Sequence, residues 1–305
     1  MIAFGTSITM PEVHARAAAK GIALAAEPDS QVIAHAAAGS VARSLNLILD
    51  EAAGMDGLEA LVLLHQDAEI VDPGFCAQVR AALADPAVGV AGALGAVGPS
   101  GIAWWEGTVT WSSVTYRYGD HGGGELPGVA FEGTRPPAPK APGEVDTLYG
   151  VVLVLSPWAV RELRFDEALA GRHGYDADLC RQVRAAGRKV VTADLRIVHH
   201  HSLDVLAEPE TWVGAHRRAA ERWEDAEGGE DAEADEAAWR RRARAAEADA
   251  AGARLAAESW VLLAYAHAEH HQQELTRVTA SRSWRLTEPL RRLNARVSAW
   301  RAARA

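Results

Sequence analysis

Short apolar runs alternate along most of the chain with segments whose apolar residues recur at helical spacing. Leu61, Val62, Leu63 and Leu64 are unbroken, as in a strand buried on both faces of a parallel sheet. Met1 to Phe4, Gln31 to His35, Val88 to Val97, Glu144 to Leu155, Lys189 to Thr192 and Leu195 to Val198 read as further extended segments. Between them lie helical patterns. Pro11 to Ala19 predicts a helix ending at Gly21, and Val41 to Ala53 a helix capped by Ser40, with Val41, Leu45, Ile48, Leu49 and Ala52 on one face. Asp72 reads as the N-cap of a helix with Pro73 at its first position. Ser156 and Pro157 start a short helix to Leu163, and Leu179, Val183 and Ala186 form the face of another that Gly187 ends. The order predicts an α/β fold, a mostly parallel sheet flanked by helices.

Two regions break this rhythm. From Gly98 to Gly143 the chain is rich in Gly, Pro and aromatics, among them Trp104, Trp105, Trp111, Tyr116 and Tyr118, and has no clear period, as in a lid or binding segment. Past Thr211 comes an acidic run from Glu221 to Glu236, then an alanine-rich stretch to Arg277. Arg282 to Arg304 sets Leu286, Leu290, Leu293, Val297 and Trp300 on one ridge, with Arg285, Arg291, Arg292, Arg296, Arg301 and Arg304 over the remaining surface. Such a basic amphipathic helix suits the anionic inner face of a plasma membrane. The same ridge also suits docking on the protein's own body or on a second subunit of a homodimer. The expected division is an α/β domain at 1–215 and a helical extension at 216–305.

With 305 residues the chain exceeds what one core needs, in keeping with that division. The formal charge of -10 argues against general nucleic-acid binding. Cys76 and Cys180 fall within apolar helical patterns and read as reduced core residues. No signal-peptide pattern and no membrane-spanning apolar run is present, so a cytoplasmic protein, peripheral to the membrane at most, is expected.

Chemistry concentrates where apolar runs stop. The central strand ends at His65, Gln66, Asp67, Ala68 and Glu69, at the end of an open α/β sheet where ligands bind. Gly5, Thr6 and Ser7, after the strand that ends at Phe4, can present backbone N–H groups to a nucleotide. A second acidic pair, Asp176 and Asp178, stands at a helix N-terminus, and His199, His200 and His201 end the last extended segment. Oxygen ligands with one imidazole suit Mg2+ or Mn2+.

H-Q-D-A-E after an apolar strand, F-D-E at Phe165 to Glu167, G-Y-D-A-D-L-C followed by R-A-A-G, and V-H-H-H-S together resemble bacterial GT-A glycosyltransferases of the family 2 kind, especially the streptomycin-biosynthesis branch. The resemblance spans residues 1–215 and implies a nucleotide-sugar donor, a carbohydrate or lipid-linked glycan acceptor, and inverting, Mn2+- or Mg2+-dependent transfer of the kind used in surface-polysaccharide or glycoconjugate synthesis. It puts Asn46 and Asp67 on the donor side, and Asp67 with one of His199, His200 and His201, most readily His200, at the metal; Phe4, Thr6 and Ser40 are further candidates for the donor side and Glu69 for the metal. Asp176 corresponds to the catalytic base. Because carbohydrate faces pack on aromatic rings, Trp104 and Trp105 are expected in the wall of the sugar or acceptor site, with Asp178 as a further candidate there. The chain departs from the pattern in four places: His65 stands for the first acid of the D-x-D element, Tyr175 for the acid before the base, Tyr149 for an acid before Gly150, and the V-D-D-G-S uracil-binding element is missing around Ala36 to Ser40.

Structural alternatives stand beside these roles. Asp176 fits a helix cap, Asn46 a buried amide with a definite partner, and Trp104 and Trp105 core anchors. The departures also fit a catalytically inactive sugar- or nucleotide-binding scaffold.

Overall fold

The computed structural model describes residues 1–36, 40–99, 102, 104, 107–117, 125–127, 141–169, 173–200, 209–227, 243, 264, 268 and 271–289. The N-terminal half runs β1 (Ile2–Ile8), α1 (Pro11–Arg16), α2 (Ala18–Ala25), β2 (Gln31–Ala36), α3 (Val41–Ala53), β3 (Ala60–Leu64), β4 (Ala68–Ile70), α4 (Phe75–Ala82), β5 (Val88–Gly92) and β6 (Leu94–Val97). It continues through β7 (Thr108–Ser112), β8 (Val114–Arg117), β9 (Glu125–Pro127), β10 (Thr147–Leu148), β11 (Val152–Leu155) and α5 (Pro157–Glu162). The last elements of the body are α6 (Tyr175–Ala185), β12 (Lys189–Thr192), β13 (Ile197–His199) and α7 (Pro209–Glu227).

The expected α/β architecture is present. Six strands form the main sheet in the order β12-β5-β11-β3-β1-β2. All neighbours run parallel except β11, which lies antiparallel to β3 and β5. Side chains alternate between faces, and the core divides accordingly. Phe4, Val62, Leu64, Val152 and Val154 pack with Ile22 of α2 and with Phe75 and Val79 of α4. Ala3, Leu61, Leu63, Leu153 and Leu155 pack on the other side with Ile48 and Leu49 of α3 and Leu179 and Val183 of α6. The unbroken apolar run of β3 serves both layers, and all five of its residues are buried.

Several boundaries differ from the sequence pattern. The first helix does not end at Gly21: the chain breaks at Ala17 and α2 continues to Ala25. Gly21 serves close packing instead, since a Cβ there would stand 2.3 Å from the Ile70 backbone nitrogen. Asp72 does not cap α4, which starts at Phe75; its Oδ1 accepts from Gly74 N at 2.8 Å in the preceding turn. Val88 to Val97 is two strands, because the chain leaves the main sheet after Gly92 and β6 joins the small sheet β10-β6-β7. The aperiodic Gly98 to Gly143 stretch contributes β7, β8 and β9, the last two to a third sheet ordered β4-β13-β8-β9.

Two features of the tail can be placed. The expected boundary at 215 falls inside α7, whose Trp212, Ala215 and Ala219 pack on Ala177 and Ile102. The C-terminal ridge from Leu290 to Trp300, like Trp105 and His201, lies outside the described residues. Among the described residues no helix is long and apolar enough to cross a membrane. Cys76 and Cys180 are free and buried, and burial pushes the Cys180 thiol up to about 12.

Candidate active site

At the tip of β3 the backbone turns at once: Ala68 N donates to the His65 carbonyl at 3.1 Å, and β4 begins. Gln66, inside this turn, reaches back to the loop after β1. Its Oε1 accepts from Thr9 N and Met10 N at 2.8 Å each, and its Nε2 donates to Thr9 Oγ1 at 2.6 Å. One amide therefore ties the central turn to the loop that follows the first strand.

The turn points Asp67 at two imidazoles. His65 Nδ1 lies 3.6 Å and His199 Nε2 3.3 Å from Asp67 Oδ1. That oxygen is buried without a hydrogen-bond partner, a costly state unless something positive faces it. His199 comes from β13, which pairs antiparallel with β4 so that His199 sits opposite Ala68. The ligand atoms of His65, Asp67 and His199 all fall within 4.8 Å of one another, a donor set that fits a divalent cation. Burial works to raise the Asp67 carboxyl, but the His199 and His65 imidazoles prevail and hold it well below the usual range.

Each imidazole is held from behind by a tyrosine. Tyr175 Oη lies 2.6 Å from His65 Nε2 and donates to the Gly150 carbonyl at 2.9 Å. Tyr149 Oη lies 3.0 Å from His199 Nδ1. The three positions at which the chain departs from the acidic pattern, His65, Tyr149 and Tyr175, thus meet around one carboxylate.

Asp176 borders the same cluster, one residue after Tyr175 in the first turn of α6, which follows Gly174 at φ 78°. Its Oδ2 accepts from Gly150 N at 2.8 Å and its Oδ1 from Ala177 N at 2.9 Å. Burial raises its carboxyl above the ordinary aspartate value, although both N–H groups pull the other way. A fixed carboxylate with raised proton affinity is what a general base requires.

Other residues singled out from the sequence go elsewhere. Glu69, on β4, is bound by Lys20 and by His200 Nε2 at 2.8 Å, so this pair builds a neighbouring ionic cluster rather than joining Asp67. His200 still braces the site through its backbone N–H, which donates to the Asp67 carbonyl at 2.8 Å. Phe4 is fully buried against Phe75, its ring turned into the sheet's core layer by strand alternation. Thr6 is buried with its Oγ1 3.3 Å from His14 Nε2. Ser40 caps α3 by accepting from Arg43 N at 3.1 Å.

Asn46 is a buried-edge amide with a definite partner. Its Oδ1 accepts from Phe165 N at 2.8 Å, and its Nδ2 donates to Phe165 O and Glu167 Oε1 at 3.0 Å each. Trp104 is a core anchor, its ring 5.4 Å from that of Tyr149. Asp178 faces α7, not the cluster: it accepts from Trp223 Nε1 at 3.0 Å and pairs with Arg222 at 3.3 Å. The sequence left open which of His199, His200 and His201 meets the metal, and Gln66 and Tyr175 gained no such roles from their spacing, because their partners lie far off in the chain.

The model described as a glycosyltransferase-like family matches residues 13–227. The chain belongs to that family. This glycosyltransferase is 28% identical over 210 residues to streptomycin biosynthesis protein StrF from Streptomyces griseus, covering 66% of this chain and 67% of that one. Among solved structures, the mannosyltransferase PcManGT from Pyrobaculum calidifontis, in complex with GDP-Man and Mn2+, matches at 13% identity. That match covers 93% of this chain and 82% of that chain, with a TM-score of 0.47. GalNAc-T7 with UDP, GalNAc and Mn2+ matches at 10% identity over 72% of this chain and 47% of that chain, with a TM-score of 0.45.

Proposed function

We infer that this glycosyltransferase moves a sugar from a nucleotide-diphosphate donor to a hydroxyl acceptor with inversion, using Asp67 at a divalent-ion site and Asp176 as base. The observation that carries the reading is the contact from His65 to Tyr175, which sets Asp176 beside the Asp67 cluster. Asp67, with His65 and His199, would hold a divalent ion, Mn2+ or Mg2+, which would supply positive charge against the departing diphosphate.

The chain's own residues do the rest. Asp176, fixed by the Gly150 and Ala177 N–H groups, takes the proton of the acceptor hydroxyl as it attacks the anomeric carbon, a contribution of about 10²–10⁴-fold. Direct attack from the face opposite the leaving group inverts the configuration. Gln66 holds the loop after β1, where the donor's nucleoside would lie, in register with the Asp67 turn. The acceptor class favoured here is a carbohydrate or lipid-linked glycan of surface-polysaccharide or glycoconjugate synthesis.

The test is release of nucleoside diphosphate from a panel of UDP-, GDP- and TDP-sugars, with Mn2+ or Mg2+ and a library of sugar acceptors. Turnover of at least one donor, lost in Asp176→Asn, is expected. Donor binding without turnover across the whole panel would replace this reading by the inactive-scaffold one.

A further inference from the structure

The Gly150 carbonyl has no proton, so the Tyr175 hydroxyl must donate to it across the 2.9 Å contact. The Tyr175 oxygen is then left as an acceptor toward His65 Nε2 at 2.6 Å, and the proton in that contact belongs to His65. Neutral His65 therefore carries its hydrogen on Nε2 and turns the Nδ1 lone pair toward Asp67 Oδ1, 3.6 Å away. That oxygen is itself buried with no hydrogen-bond donor. Two acceptors facing each other repel unless a proton on His65 or a metal cation lies between them. On the far side, His199 Nε2 faces the same oxygen at 3.3 Å while Tyr149 engages its Nδ1 at 3.0 Å.

We propose that Tyr175 is a positioning residue that locks His65 as a nitrogen ligand, with Tyr149 orienting the His199 ring, giving a centre of two imidazoles and one carboxylate that selects transition ions over Mg2+. The proposal rests on the reading of the Asp67 cluster as a divalent-ion site, and it names what that site discriminates. Two acids at these positions would make a hard, all-oxygen pair in which Mg2+ competes well. Replacing one acid by an imidazole lowers the negative charge and introduces nitrogen, for which affinity rises from Mn2+ to Co2+ and Mg2+ is a poor match. The outer partner of a ligating histidine fixes its tautomer and orientation, and its loss typically costs 10–100-fold in affinity.

The experiment is calorimetric titration of the chelator-stripped full chain with Mg2+, Mn2+ and Co2+ alone, with the visible absorption of the Co2+ form as a second readout. Affinity is expected to rise in the order Mg2+, Mn2+, Co2+. Tyr175→Phe, which keeps the ring, should weaken Mn2+ and Co2+ binding by about 10–100-fold and alter the Co2+ spectrum while Mg2+ binding is little changed. His65→Asp should move the preference back toward Mg2+. Tyr149→Phe repeats the test through His199, should Tyr175→Phe fail to fold.

Equal affinity for Mg2+ and Mn2+ in the wild type, or unchanged Co2+ binding and spectrum in both tyrosine variants, overturns the proposal while leaving sugar transfer untouched. Absence of binding by all three ions overturns the proposal and the divalent-ion site together. The donor-turnover assay tests the transfer reading separately.

Discussion

The Tyr175 hydroxyl lies 2.6 Å from His65 Nε2, joining the tip of β3 to the first turn of α6 across 110 residues of sequence. Through this contact Asp67, in the candidate metal-ligand cluster, and Asp176, the candidate base, become parts of one site. Gly150 serves both ends, accepting from Tyr175 through its carbonyl and donating to Asp176 through its N–H. It has no room for a side chain, since a Cβ there would stand 2.5 Å from Tyr175 Oη.

Asp176→Asn should separate catalysis from stability. Burial raises the folded-state affinity of this carboxyl for its proton. The folded chain therefore binds that proton more tightly than the unfolded chain does, and stability falls as pH rises through the raised value. A neutral amide avoids that cost but can accept from only one of the Gly150 and Ala177 N–H groups, so the two effects oppose and the variant should melt close to the wild type at neutral pH. Sugar transfer should drop by about 10²–10⁴-fold. In the wild type the acidic limb of kcat/KM should lie above the pH of an ordinary aspartate. A melting temperature that falls together with activity would make Asp176 a structural residue.

Asn46→Ala should loosen the Phe165 to Glu167 segment. The amide satisfies both the N–H and the carbonyl of Phe165 from the face of α3. Leaving such groups unpaired costs about 1–3 kcal/mol, to be read from the urea midpoint. An unchanged midpoint would mean that water replaces the amide fully.

Asp178→Ala should release α7. Asp178 is almost fully buried and holds Arg222, Trp223 and Gln182. Arg222 keeps Asp166 at 3.0 Å and is about a third exposed, so its charge is not stranded by the change. The loss should be about 1–3 kcal/mol rather than the larger penalty of a broken, fully buried pair. Limited proteolysis should cut within α7 in the variant before it cuts the wild type, and identical digestion patterns would contradict the assignment.

Gly21→Ala should destabilise although alanine favours helices. The added methyl would meet the Ile70 backbone nitrogen at 2.3 Å, forcing α2 away from β4. Overpacking of this kind costs about 1–3 kcal/mol, more than the roughly 1 kcal/mol that alanine gains in propensity. A higher melting temperature would show that the two elements separate freely.

Sequence alone determined the layers of this protein. Apolar runs, helical spacing and the Ser40 cap depend on neighbours close in the chain, so β2, β3, α3 and α6 were legible with nearly their observed ends, whereas β1 continues through Gly5, Thr6 and Ser7 to Ile8, where a loop is expected. It also determined Asp67 and Asp176 as the acids to watch, since each stands where a regular element begins or stops. Tertiary structure decided which side chains share a site. Pairing of β13 with β4 chose His199, not His200, to face Asp67, and sent Glu69 to Lys20 and His200. Packing, not turn chemistry, explained Gly21, and the docking of α7 claimed Asp178. These choices rest on strand register and on contacts between residues more than a hundred positions apart, such as Asn46 with Phe165 and His65 with Tyr175. Local periodicity carries no record of such pairs, because it fixes which face a residue takes on its own element and not which element will lie opposite.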